Sequence, residues 1–172
     1  SMRGDYKTAL EFTEQSLLSG VHNLKARNLK TTLLRLSGKF VDAKRYALKT
    51  MEIDPLNYGC RYELYKATDD FTVLNELTTI MRNDVDNYIE LSLDYNEFGL
   101  YDEAAKVLAL ISEADRPMLH YYMAYYSKSD VELEIASKCK CDYCFPVRLN
   151  DILVLEYALA HNNKDANAPY LL

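Results

Sequence analysis

Gly38-Lys39-Phe40-Val41-Asp42-Ala43-Lys44 stands 34 residues after Gly4-Asp5-Tyr6-Lys7-Thr8-Ala9-Leu10, and the same shape returns as Gly99-Leu100-Tyr101-Asp102-Glu103-Ala104-Ala105. Each copy reads glycine, any residue, an aromatic, two mostly polar residues and an alanine. A fixed recurrence of this length is the mark of a repeat architecture. The glycine ends one helix by taking the left-handed conformation that other residues avoid. The aromatic is placed to pack at the corner, and the small alanine lets the next helix approach closely. Leu29, Leu33, Leu34 and Leu36 precede the second turn at helical spacing, and Phe40, Ala43, Ala47, Met51 and Ile53 follow it. Asp54-Pro55 stops that helix, because proline disfavours helical geometry in the residue before it.

Composition agrees. The 172 residues are 49% hydrophobic, with only 5 glycines and 4 prolines, which leaves too little turn chemistry for a many-stranded protein. A formal net charge of −6 argues against a nucleic-acid partner, which needs a basic patch. No apolar run is long enough to span a membrane. The cysteines Cys60, Cys139, Cys141 and Cys144 are too few and too clustered for a disulfide framework. That favours a reducing, cytoplasmic setting.

The segment 24–57 resembles one tetratricopeptide (TPR) repeat: Ala43 stands at the family's small second-helix position, Ala47 at its next packing position and Pro55 at its closing proline. A second match, 85–118, has Tyr88 at the large apolar position, Leu91-Ser92 at the Leu-Gly pair, Tyr95 at the Tyr, Ala104 at the Ala and Pro117 near the close. The first of these departs from the family at Arg27, Lys30 and Thr31. The resemblance implies an all-α, right-handed superhelical solenoid of antiparallel helix-turn-helix repeats, about ten helices. Residues 4–20 read as the second helix of an incomplete repeat, and 58–84 as a shortened repeat turning at Asp69-Asp70-Phe71. Residues 117–139 read as a Tyr-rich hairpin, 140–146 as a Cys-containing loop, 147–161 as a helix and 166–172 as the start of a further repeat. Both ends are thus expected to be incomplete, as in a piece of a longer array, with end-to-end pairing of exposed faces as one consequence. The stretches 142–146, 148–156 and 165–172 resemble the repeat region of large bacterial proteins in which a carbohydrate-enzyme-like domain precedes the array.

Such an array binds a peptide, a protein or a neighbouring domain along a groove of first helices. Carrying the family's groove positions across gives Lys25, Asn28, Thr32 and Arg35, then Asp86, Leu93 and Asn96, with Tyr126 of the aromatic stripe beside them. Leu29 and Glu90 stand where a carboxylate clamp would need Lys or Asn. The stripe of Tyr121, Tyr122, Tyr125 and Tyr126 after His120 reads as inter-helix core, with a sugar platform as its alternative. Cys139, Cys141 and Cys144 read as small thiols of a helix connection. A zinc site there would lack a fourth ligand unless His120 or His161 came near, and a Cys141–Cys144 redox pair lacks its usual strand–helix context. The carboxylates are scattered at turns and helix starts, where they cap helices. No phosphate loop, nucleophile elbow or HExxH motif is present. The expectation is a non-catalytic interaction scaffold without a cofactor, or an accessory module of a carbohydrate-active enzyme.

Overall fold

The computed structural model describes residues 2–111 and 115–172, with side chains described from Tyr6 onward. Among the described residues there are eleven α-helices and no strand. They fall into two compact units, Ser1–Asn83 and Asp84–Leu172. The first unit holds α1 (Met2–Ser19), α2 (Leu24–Leu36), α3 (Phe40–Met51), α4 (Tyr58–Thr68) and α5 (Phe71–Met81). Each helix packs on the next, and α2 also packs on α4. The second unit holds α6 (Val85–Glu97), α7 (Tyr101–Leu108), α8 (Pro117–Ser127), α9 (Asp130–Lys138), α10 (Leu149–His161) and α11 (Asn167–Leu171). Here α8 touches α6, α7, α9 and α10, and α11 closes on α9 and α10. None of the described helices is long and apolar enough to cross a membrane.

The turns are built by local chemistry. Gly38 and Gly99 adopt φ of +77° and +70°. At the first, Gly38 N–H donates to the Arg35 carbonyl at 2.8 Å and Lys39 N–H to Leu34 at 2.9 Å; at the second, Gly99 donates to Asn96 and Leu100 to Tyr95, both at 2.9 Å. Two orphan carbonyls of each ending helix are satisfied in this way. Asp69 supplies the same left-handed step without glycine (φ 51°), and Asp70 caps α5 by accepting from Thr72 N–H. Asn23, Asn57, Asp84 and Ser129 cap α2, α4, α6 and α9 with side-chain oxygens. The expected glycine turn at Gly4 is not formed, because α1 runs unbroken from Met2.

Ala43, Ala47 and Ala104 are fully buried, as close helix crossings require. Ala47, Cys60 and Leu64 form one core cluster of the first unit, with Met51 and Val73 packed against it. The corner aromatics are less buried than the turn pattern suggests: Tyr101 rests 6.3 Å from Tyr126, while Phe40 is 52% exposed. Where α2 departs from the TPR pattern, hydrogen bonds replace apolar packing. Buried Arg27 donates to Thr50 Oγ1 at 3.0 Å and the Val21 carbonyl at 3.2 Å, and its guanidinium lies 4.8 Å from the Tyr46 ring. Lys30 covers the same ring at 4.9 Å and pairs with Glu14, and Thr31 turns its hydroxyl back to the Arg27 carbonyl.

Candidate binding surface

Of the groove positions expected in the first unit, Lys25 is exposed on α2. The other three serve the packing. Arg35 is 8% exposed and grips fully buried Glu63 of α4 with two hydrogen bonds, Nε to Oε2 at 2.6 Å and Nη2 to Oε1 at 3.2 Å. Thr32 is buried and donates to the Asn28 carbonyl. Asn28 lies over Gly59, where an added Cβ would stand 2.5 Å from its Nδ2, and its Oδ1 accepts from the Cys60 thiol at 2.9 Å. Burial pushes that thiol up to about 11. Arg35 and Thr32 are therefore corrected from groove contacts to interior ties. A cationic residue is kept inside only when paired, which is what Glu63 provides.

In the second unit α6, α8 and α10 lie side by side. Asp86 and Glu90, one turn apart on α6, receive the Arg148 guanidinium at 3.0 and 2.5 Å. Asp86 thus holds the start of α10 as well as facing solvent. Asp151, 1% exposed, accepts from Tyr122 Oη at 2.7 Å and from the N–H groups of Val147 and Arg148 at 2.9 Å each. Buried Asp165 accepts from Tyr121 Oη at 2.7 Å and from Asn167 N–H at 2.8 Å, and the Asn167 amide donates to the carbonyls of Ala136, Ser137 and Cys139. Two neighbouring tyrosines of α8 thereby hold the aspartates that begin α10 and α11. Burial and the adjacent carboxylate drive both phenols far above the ordinary tyrosine value.

Leu93 and Tyr126 are buried, so neither is a free contact. Tyr126 Oη lies 3.4 Å from Ser92 Oγ, and burial pushes its phenol up to about 12. Tyr121 and Tyr122 are fully buried, which removes most of the stripe as a sugar platform. The structure does bring Asn96 and the edge of Tyr126 together, in a narrow cleft of about 20 Å³ shared with Tyr122, Tyr125, Asn150, Leu153 and Val154. That volume admits one water, so a ligand would lie along the cleft's rim. Beside it, Lys128 places its Nζ 4.3 Å from the ring centroids of both Tyr125 and Tyr157.

All four cysteines are free. Cys144 N–H donates to the Cys141 carbonyl across a tight turn. Burial and the hydrogen-bonded Asp115 carboxylate hold the Cys139 thiol at about 12, and burial raises Cys141 and Cys144 as well. None of the three has the lowered pKa of a reactive thiolate. Among the described residues, no group of three or more His, Cys, Asp or Glu side chains is arranged to hold a metal. The sequence reading missed Arg148, Asp151, Asp165 and Tyr157. Asp151 carried a signal, since an acid in the first turn of a helix often reaches back to the entering backbone; Arg148 and Tyr157 act only through residues distant in sequence.

These hairpins, with left-handed turns and alanines at their crossings, place the chain in the all-α helical-repeat class and make its fold TPR-like. No protein-family model and no curated protein matches the chain. Among solved structures it is similar to TTC0263, a thermophilic TPR protein of Thermus thermophilus, at 17% identity over 97% of this chain and 88% of that one, with a TM-score of 0.46. It is similar to MamA at 15% identity over 96% and 94% of the two chains, TM-score 0.44. YrrB, a TPR protein with an unusual peptide-binding site, gives 15% identity over 97% and 83%, TM-score 0.41. These are likenesses of fold.

Proposed function

We propose that the chain is a non-catalytic interaction scaffold that binds an extended peptide, or a segment of a neighbouring domain, along the face shared by α6, α8 and α10. The observation that carries this reading is the cleft in which polar Asn96 and Asn150 stand beside apolar Leu153 and the Tyr125 ring. Amides that can meet a peptide backbone, next to apolar surface for its side chains, are the ingredients of groove recognition. End-to-end pairing is part of the same reading, and the exposed apolar side chains Phe12 and Leu18 of α1 are consistent with it. An accessory role beside a carbohydrate-active domain gains nothing from the tyrosine stripe, because three of its four rings are buried.

A peptide array probed with the full chain tests the proposal. Bound sequences should lose at least tenfold in affinity with Leu153→Arg or Asn96→Arg, which set a long charged side chain on the cleft's rim where the ligand would lie. They should be unaffected by Val41→Arg, at an 82% exposed position of α3. Binding that ignores the cleft substitutions, or no bound peptide at all, overturns it.

A further inference from the structure

The turn between α8 and α9 begins on Lys128, whose backbone takes the left-handed conformation, φ 55° and ψ 41°. A side chain makes that conformation unfavourable. The ammonium of Lys128 nevertheless lies over two aromatic faces, 4.3 Å from the centroid of Tyr125 and 4.3 Å from that of Tyr157. The two rings meet edge to face, with centroids 5.5 Å apart and planes at 87°, so they form the walls of a right-angled corner. His161 stacks on Tyr157 at 4.0 Å and fixes that wall. The face of an aromatic ring carries negative potential, and two faces turned toward one point attract a cation there. Asp130, at the start of α9, adds its negative charge near Tyr157, whose phenol is raised by burial and by that carboxylate.

The occupant is exposed and the walls are half-buried. Tyr125 is also a wall of the cleft that holds Asn96 and Asn150, so the corner is continuous with the proposed peptide path. On the same group of helices Asp86 and Glu90 hold the Arg148 guanidinium. Lys128 and Arg148 are thus both seated by side chains of this face, and the whole chain carries a net charge of −6 that favours cationic ligands.

We propose that the Tyr125–Tyr157 corner is a lysine-reading subsite of the cleft, which takes the ammonium of a partner peptide's lysine in exchange for Lys128. The inference rests on the peptide-scaffold reading and names the chemistry of its ligand. Lys128 acts as a built-in competitor, and because it is exposed its ammonium returns to solvent when a peptide lysine takes the corner. Removing the Lys128 side chain then vacates the subsite.

The test is an NMR titration of the full chain with acetyl-Gly-Lys-Gly-amide and with its norleucine counterpart, which keeps the alkyl length and drops the charge. Lys128→Ala should bind the lysine peptide at least fivefold more tightly than the unaltered chain, with shifts centred on Tyr125, Tyr157 and His161. Adding Tyr157→Phe should preserve that gain, and adding Tyr157→Leu should abolish it. Equal binding of the two peptides, no gain in Lys128→Ala, or indifference to Tyr157→Leu overturns the subsite. Because Lys128 is exposed, its single variant is informative even where Tyr157→Leu does not fold. Peptides that depend on Leu153 and ignore Tyr157 leave the scaffold standing while refuting the subsite; peptides that ignore both refute the scaffold.

Discussion

Arg35 and Glu63 show how a residue that reads as a ligand contact can be an interior tie. Both are buried, and the carboxylate takes two hydrogen bonds from one guanidinium. The value of such a pair is asymmetric. Removing one partner strands a charge in the interior and costs about 3–5 kcal/mol, whereas replacing both with apolar residues of similar volume is often neutral. Glu63→Ala should therefore lower the unfolding free energy by about that amount in urea titrations, and Arg35→Met with Glu63→Leu should restore most of it. If the double variant is as unstable as the single one, the pair contributes more than charge compensation. A groove role for Arg35 would instead leave stability unchanged and weaken peptide binding.

The Asn28–Gly59 contact sets the approach of α4 to α2 at the scale of elements. A Cβ on Gly59 would stand 2.5 Å from Asn28 Nδ2 and 2.9 Å from its Cγ, so the obstacle is a side chain rather than backbone. Gly59→Ala alone should cost about 1–2 kcal/mol through overpacking. With Asn28→Ala in place the same change should become neutral or stabilising by up to about 1 kcal/mol, because alanine is the better helix former. A double-mutant cycle read by thermal unfolding checks that reversal, and additive effects would disprove it. Gly38 and Gly99 were legible in the sequence, because a left-handed helix end has few residue solutions and the alanine five places on completes the hairpin. Gly4 misled, since the same pattern within α1 carries no turn. Gly59 gave no signal, because its reason is a side chain 31 positions away. The face of α6, α8 and α10 was legible in part: Asn96 follows from the TPR family's groove positions carried onto α6. Arg148 and Tyr157 do not, since their roles depend on where α10 comes to rest.

The whole molecule answers alkali through its buried phenols and thiols. In the unfolded chain thiols lose their protons near 9 and phenols near 10. In the fold Cys60 is held at about 11, Cys139 and Tyr126 at about 12, and Tyr121 and Tyr122 above the ordinary tyrosine value. Each folded value is raised, so above the unfolded value the native state binds more protons than the unfolded one. The stability these groups contribute is complete below pH 9 and falls as pH rises through 9 and 10 toward 12. Each group protonated in the fold and ionised in the unfolded chain steepens the loss by about 1.4 kcal/mol per pH unit. Four of the five lie in the second unit, Asp84–Leu172, and one in the first. Urea midpoints should hold steady to pH 9 and then decline. Absorbance at 295 nm should separate tyrosines that ionise near pH 10 from a set that ionises only on unfolding. Amide exchange at pH 10.5 should show residues of the second unit opening before those of the first, and Tyr122→Phe should flatten the decline by one group's share. Equal opening of the two units, or a midpoint unchanged to pH 11, would mean that the Tyr–Asp ties of α10 and α11 are not what holds the second unit closed.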